Sequence, residues 1–395
     1  MTPSNPDPNS LDPTAAGRAK SGRPDGSRRP GRSGNPAVRA AQPKPAPRPQ
    51  PTSYRTPGTS GGPATSGGAG SRRGRNRGLS RAASVVPEPT LPRDGSSYPQ
   101  ILRVEGYAPW RSVVGVLMGL SFFILLTNLV SQLVVFVSWS LLAPDTIYRD
   151  YFTQAFGFQR ASGMLAANLG IATLIPVACI LMMLLHRMRP SWLLSVQARV
   201  RWPYFFVCLG VAVVALNGVL LVSTLVSRPA HVGPQPGFWW FLVVILLTSP
   251  IQAAAEEFFF RGYLMQALGS LFSHPLIGVV LSALVFAFFH GAQNLPLFLD
   301  RFAFGLLAAA LVWRTGGLEA SVAAHVVNNV FAYVIAGLTG SIAALKAIRE
   351  IGWLDAVFDV GGFAVFAALA LLVALKMRPA RRVEHAGLGR ASVVQ

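Results

Sequence analysis

From about residue 112 to residue 376, apolar blocks long enough to cross a bilayer follow one another with only short polar breaks. A helix needs about 20 such residues to traverse the hydrocarbon core. The chain offers eight stretches of this kind, near 112–140, 161–185, 203–227, 238–265, 275–291, 298–314, 318–339 and 356–376. The fifth and sixth are short. The expected fold class is all-α, a polytopic transmembrane helical bundle of about eight spans.

The N-terminal quarter reads differently. Residues 1–100, as in GRPDGSRRPGRSGNP and TSGGPATSGGAGSRRGRNRG, are rich in Pro, Gly, Ser and Arg and almost free of apolar runs. Such a composition buries too little apolar surface to offset the entropy of ordering, so a disordered N-terminal arm is expected. Three regions follow: a basic arm over 1–100, a transmembrane domain over 101–380, and a short basic tail over 381–395. Of the net charge of +19, residues 1–111 supply +12, from 18 Lys/Arg and 6 Asp/Glu. Lys and Arg hold flanking segments in the cytoplasm, and eight spans return the C-terminus to the same side. The loop HRMRPSWLLSVQARVR and the terminal KMRPARR are basic, whereas APDTIYRDYF and the stretch around KAIREIGWLD are mixed in sign. An integral protein of the cell membrane with both termini cytoplasmic is the expectation.

The first apolar run lies beyond residue 100, so no secretory signal peptide is expected at the start. The arm carries no nucleic-acid fold signature and no interleaved aromatics, so no nucleic-acid partner is expected. Contact with anionic lipid and a purely topogenic role both stay open for it. Cys179 and Cys208 fall within spans and fit neither a disulfide framework nor a metal pattern; they read as small buried hydrophobes. Neither GxxxxGKS nor GxGxxG occurs, which argues against nucleotide-driven transport.

Against this apolar background the stretch QAAAEEFFFRGYLMQ, residues 252–266, places three charges at membrane depth. Each costs roughly 2.5–3.5 kcal/mol even on lenient insertion scales. Glu257 and Arg261 are four apart and can pair on one helix face. Glu256 lies five from Arg261, about 140° around an α-helix, and is expected to aim away from that pair. A water-excluded carboxylate with less neutralisation suits a general base. In LVFAFFHG, Phe286 and His290 are one turn apart; in SVAAHVVNNV, His325 and Asn329 share a face while Asn328 projects elsewhere. Asp300, Arg301 and Glu319 sit near span ends and are expected to reach the interface by snorkelling.

Three helices thus offer polar stripes to one interior: a carboxylate, two imidazoles and an amide. A carboxylate and a histidine can hold and deprotonate water, while a second histidine and an amide can donate to an oxyanion. This is equipment for hydrolysing an amide inside the membrane. A lone intramembrane His often only bridges helices, and a Glu–Arg pair can be a structural staple. Three such clusters on separate spans within about 75 residues weigh against both readings.

The three clusters, in this order, resemble the motifs of the CAAX prenyl protease type 2 and bacteriocin-processing family of intramembrane peptidases (CPBP, or Abi). EExxxR stands as Glu256, Glu257 and Arg261, FxxxH as Phe286 and His290, and HxxxN as His325 and Asn329. FRGYL, FHG and RTGGLEASVAAHVVNN add to the likeness, which covers about residues 238–335. The resemblance implies a glutamate-dependent endopeptidase that forms no acyl-enzyme and cuts a membrane-associated or lipidated peptide or membrane protein. It implies Glu256 activating water with the help of His290, and His325 and Asn329 stabilising the oxyanion. Glu257, Arg261 and Phe286 would support the site.

No cofactor is favoured. Zinc at Glu256, His290 and His325 is the alternative that the donor types allow, although no HExxH is present. Two rival readings remain beside the peptidase. A non-catalytic membrane peptide-binding or immunity-type protein could use the same fold. A proton-coupled carrier could use the Glu and His residues as a relay, but would call for broken helices in matching halves, which the sequence does not display.

Overall fold

The computed structural model describes residues 90–227 and 232–385, with the backbone alone for 219–227. The expected arm up to residue 89 and the tail from 386 lie outside the described residues. Within them the fold is all-helical, with isolated bridges and no strand. The helices are α1 (Pro109–Leu142), α2 (Tyr148–Phe156), α3 (Ala161–Ala172), α4 (Leu174–Leu184), α5 (Trp202–Ser227) and α6 (Phe238–Glu256). A π-helical segment, Glu257–Leu264, joins α6 to α7 (Met265–Leu271). Then come α8 (Pro275–Phe288), α9 (Leu295–Thr315), α10 (Glu319–Thr339), α11 (Ile342–Ala347) and α12 (Trp353–Met377).

Each expected span has its helix, and two show internal structure that the apolar run concealed. The second divides at Thr173 into α3 and α4 because Pro176 has no N–H for the carbonyl of Ala172. The fourth runs on to Leu271 as α6, the π segment and α7. Among the described residues, six spans are long and apolar enough to cross a membrane, and two shorter apolar helices, α8 and residues Trp202–Gly218 of α5, accompany them.

Packing follows membrane rather than aqueous logic. Helix α1 buries Ser112, Gly115, Gly119, Ser131 and Ser138 while exposing Leu117, Ile124, Leu125, Leu129 and Leu133. Small residues at helix contacts let backbones approach where hydrocarbon outside removes the usual drive to bury leucine. At Gly170 of α3 a Cβ would stand 2.3 Å from Ser131 Oγ. That serine donates to the Ala166 carbonyl at 3.0 Å.

The loops gather at two ends of the bundle. At one end Ser97 bridges to Arg382, Ser195 bridges to Gly317, and Tyr98 donates to the Leu193 carbonyl. Tyr98, Ile101 and Leu102 are buried in the main core together with Val196 and Val383. The expected boundary at residue 100 is therefore corrected: residues 90–100 fold onto the bundle, because the SSYPQIL stretch carries three apolar anchors. The tail boundary shifts likewise, since Val383 is buried.

Glu319 also departs from expectation. It is 4 % exposed and is gripped by Arg201, with Nε to Oε1 at 2.8 Å and Nη2 to Oε2 at 2.5 Å. Arg201 Nη1 donates to the carbonyls of Thr315 and Ala380. Gly316, at φ +73°, turns the chain tightly enough to carry the start of α10 inward rather than to the interface. Asp300 does not snorkel either: it is 4 % exposed, five residues inside α9, and its short stem cannot reach water.

At this same end His186, just past α4, shares a 3.2 Å hydrogen bond with Tyr263. Burial, with Arg111 adding to it, pushes its imidazole down to about 4 from 6.5. The unfolded chain then binds a proton that the folded chain refuses. Stability is complete above about pH 6.5 and falls by about 1.4 kcal/mol per pH unit down to about 4. Thermal unfolding in detergent between pH 7 and pH 4 is expected to show a flatter profile for His186→Gln than for the parent chain; parallel profiles would contradict the assignment.

At the other end Asn294 Nδ2 donates to the Ile351 carbonyl at 2.9 Å, and Gln235 accepts from the Ile342 amide at 2.8 Å. The loops 289–294 and 340–352 meet here.

Candidate active site

The EEFFFR stretch forms the π segment, and this local geometry decides how its charges meet. Hydrogen bonds from residue i to i+5 widen the turn, a feature common at functional sites. Arg261 Nη1 reaches Glu257 Oε1 at 2.9 Å with both side chains fully buried, though off the hydrogen-bond direction. The remaining guanidinium nitrogens have no hydrogen-bond partner. They face rings instead: Arg261 Cζ lies 3.9 Å from the Phe286 centroid and 5.3 Å from that of Phe304. Cation–π contact suits a desolvated guanidinium.

His325 of α10 then ties the two glutamates together. Its Nδ1 lies 2.8 Å from Glu257 Oε1 and its Nε2 lies 3.4 Å from Glu256 Oε2. The α-helical reading in which Glu256 aims away from its neighbour's pair is thus corrected: the widened turn brings both carboxylates onto one imidazole. Glu257 Oε1 also stands 2.9 Å from the Arg261 cation, which favours the ionised, accepting carboxylate and so assigns the Nδ1 proton to His325. The Nε2···Oε2 contact in turn needs one proton between its partners, on the ring or on the carboxyl. Glu256 still lacks a Lys or Arg within ion-pair distance among the described residues.

Phe286 has more to do than fill space. Its carbonyl accepts from His290 Nδ1 at 2.8 Å, and its ring meets the His290 ring edge-on at 4.6 Å. Because a carbonyl only accepts, the neutral His290 ring carries its proton on Nδ1 and its lone pair on Nε2.

Glu256, His290, His325 and Asn329 line one cavity of about 350 Å³, together with Gln252, Phe260, Phe286, Phe304, Asn328 and Tyr333. Glu257 and Arg261 stand behind its wall. Asn328, expected on another side of α10, lines the same cavity and donates to Asn329 Oδ1 at 3.3 Å. Gln252 is the residue that motif reasoning missed: its Oε1 accepts from Asn329 Nδ2 at 2.9 Å. The available signal was its position four residues before Glu256, on the same face of α6. The cavity reaches the loops at the 289–294 and 340–352 end, through Ala292, Gln293, Lys346, Ile348 and Arg349. None of its lining comes from the end that holds residues 90–104 and 378–385.

The zinc alternative fits less well. No three His, Cys, Asp or Glu side chains stand close enough to share an ion among the described residues. Both nitrogens of His325 already face carboxylates.

Fold and site together define a polytopic helical membrane protein with a polar, partly water-accessible chamber among its spans. Residues 237–331 match the family described as type II CAAX prenyl endopeptidase, Rce1-like, and that stretch carries all three motifs. The match covers about a quarter of the chain, and the apolar helices around it fit an integral membrane protein. Neither the curated proteins nor the solved structures yield a match.

Proposed function

We propose that this protein is an intramembrane endopeptidase that hydrolyses a peptide bond in a membrane-associated or lipidated peptide, with Glu256 as the general base. The observation that carries this reading is the convergence of Glu256, His290, His325 and Asn329 on one cavity. Glu256 takes a proton from a water whose oxygen attacks the scissile carbonyl carbon, and the Nε2 lone pair of His290 helps to hold that water. His325 Nε2–H and the second amide proton of Asn329 stabilise the oxyanion. Glu256 then returns its proton to the leaving amine as the C–N bond breaks, so no acyl-enzyme forms. Gln252 acts through Asn329 as a positioning residue, and Glu257 does the same through His325.

Orientation bears on which substrates can enter. The end that gathers residues 90–104, 185–201 and 378–385 is rich in Arg, from Arg93 and Arg103 to Arg381 and Arg382. By the positive-inside rule this end is cytoplasmic, and the cavity then opens on the opposite side. A reporter active only outside the cytoplasm, inserted after Glu350, is expected to be active, and the same reporter at the C-terminus silent. The reverse pattern would invert the topology.

The direct test of the activity compares peptides from membranes of cells bearing the parent chain or Glu256→Ala. Products that vanish in the variant support hydrolysis. Identical profiles at equal expression would leave a peptide-binding protein on the same fold.

A further inference from the structure

The cavity lining holds one carboxylate, Glu256, against three cations: Arg301 of α9, Lys346 of α11 and Arg349 beyond it. Arg301 is paired with the buried Asp300 at 4.0 Å, and Asp359 of α12 also feels its charge, whereas Lys346 and Arg349 have no ion-paired carboxylate among the described residues. The Lys346 ammonium lies 5.0 Å from the centroid of the Phe158 ring, and Arg349 spends Nη1 on the carbonyls of Lys346 and Ile348. The nearest acidic residues in sequence, Glu350, Asp355 and Asp359, do not line the cavity. Asp355 instead accepts from the Gly352 amide at the start of α12.

A solvated surface would scatter such charges, yet here they share the walls of the chamber that holds the proposed base. They also stand at the end of the bundle where topology selects against Lys and Arg. Cations gathered on one wall with a single carboxylate among them favour an incoming ligand of opposite sign, through charge-assisted hydrogen bonds.

Building on the peptidase reading, we infer that Arg301, Lys346 and Arg349 form a subsite for a carboxylate of the peptide that enters the cavity. Two sources share that chemistry: the free C-terminus of the peptide and an acidic side chain near the cut. An anion fixed there would hold the chain in one direction past Glu256, and so select which bond lies over the base.

Binding tests this without requiring turnover. Glu256→Gln protein in phosphatidylcholine vesicles is titrated with a fluorescent apolar heptapeptide in three forms: free acid, C-terminal amide, and amide with one internal Glu. Partitioning into protein-free vesicles is subtracted. At least one carboxylate-bearing form is expected to bind about tenfold more tightly than the neutral amide, as a charge-assisted bond allows. That advantage is expected to disappear in Arg349→Gln and in Lys346→Gln, whose side chains are exposed and whose loss spares the core. The form that wins names the source. Equal binding of all three forms would overturn the subsite. So would variants that leave the preference intact, or that weaken only the response to added phosphatidylglycerol, which would make the cations a lipid headgroup site. Because the base is already removed, failure here leaves the proposed hydrolysis to stand or fall by its own peptide profile.

Discussion

Glu256→Gln protein is expected to insert and fold like the parent and to cleave its substrate about 10²–10⁴ times more slowly, the range supplied by a positioned general base. The amide keeps the size of the carboxylate and can still meet His325 Nε2, 3.4 Å from the parent oxygen. What it cannot do is accept a proton from water. Glu256 is 9 % exposed at the cavity wall, so its neutral replacement removes a buried charge without opening a hole. Glu257→Gln makes the discriminating comparison. That residue also touches His325 but lies behind the wall, paired with Arg261, and its loss is expected to act on folding as well as on rate. Rates measured in detergent beside thermal unfolding curves separate the two. A Glu256→Gln enzyme that retains more than a tenth of the parent rate would remove this residue from the role of base.

The span count was legible because lipid imposes one rule on every crossing segment, a long apolar run. Runs do not report what happens inside them. Thr173 divides the second span because of a proline one turn later, and the Glu257–Leu264 segment widens into a π-helix that no periodicity of 3.6 anticipates. The boundary at residue 100 was misplaced for another reason. Composition averages over a window, and three anchors, Tyr98, Ile101 and Leu102, are enough to fasten a segment whose neighbours are Pro, Gly and Ser.

The site was legible as a set of residues and less so as an arrangement. Helical spacing correctly paired Glu257 with Arg261 and put His290 one turn beyond Phe286, since both relations are local. Contacts across helices depend on rotation and tilt, which spacing does not carry. Hence the double engagement of His325 by Glu256 and Glu257, the grip of Gln252 on Asn329, and the burial of Glu319 against Arg201 emerge only from the packed bundle. Snorkelling was the wrong expectation for Glu319 and Asp300 because a carboxylate on a short stem follows its backbone. Arg301, longer and partly exposed, does reach open space, but the space is the cavity.

Arg261→Met is expected to cost about 3–5 kcal/mol of stability, the usual consequence of leaving one partner of a buried ion pair behind. Arg261 is fully buried, stacked on Phe286, and among the described residues is the only cation other than His325 within ion-pair distance of Glu257. Without it a buried carboxylate depends on one imidazole, whose proton would be drawn toward Glu257 and away from Glu256. The double variant Arg261→Met, Glu257→Gln removes both charges and is expected to regain most of the lost stability, because neutral groups of similar shape carry little desolvation cost. It is not expected to regain activity, since His325 Nδ1 would then donate to a neutral amide and Nε2 would hold its proton less firmly. Arg261→Lys falls between the two: it keeps the charge and loses the flat stacking surface against Phe286. Unfolding midpoints and cleavage rates across these three variants separate the pair's part in the fold from its part in the chemistry. A single Arg261→Met substitution that leaves the midpoint unmoved would show that Glu257 is neutral in the folded protein, and would reassign the proton that the two glutamates and His325 share.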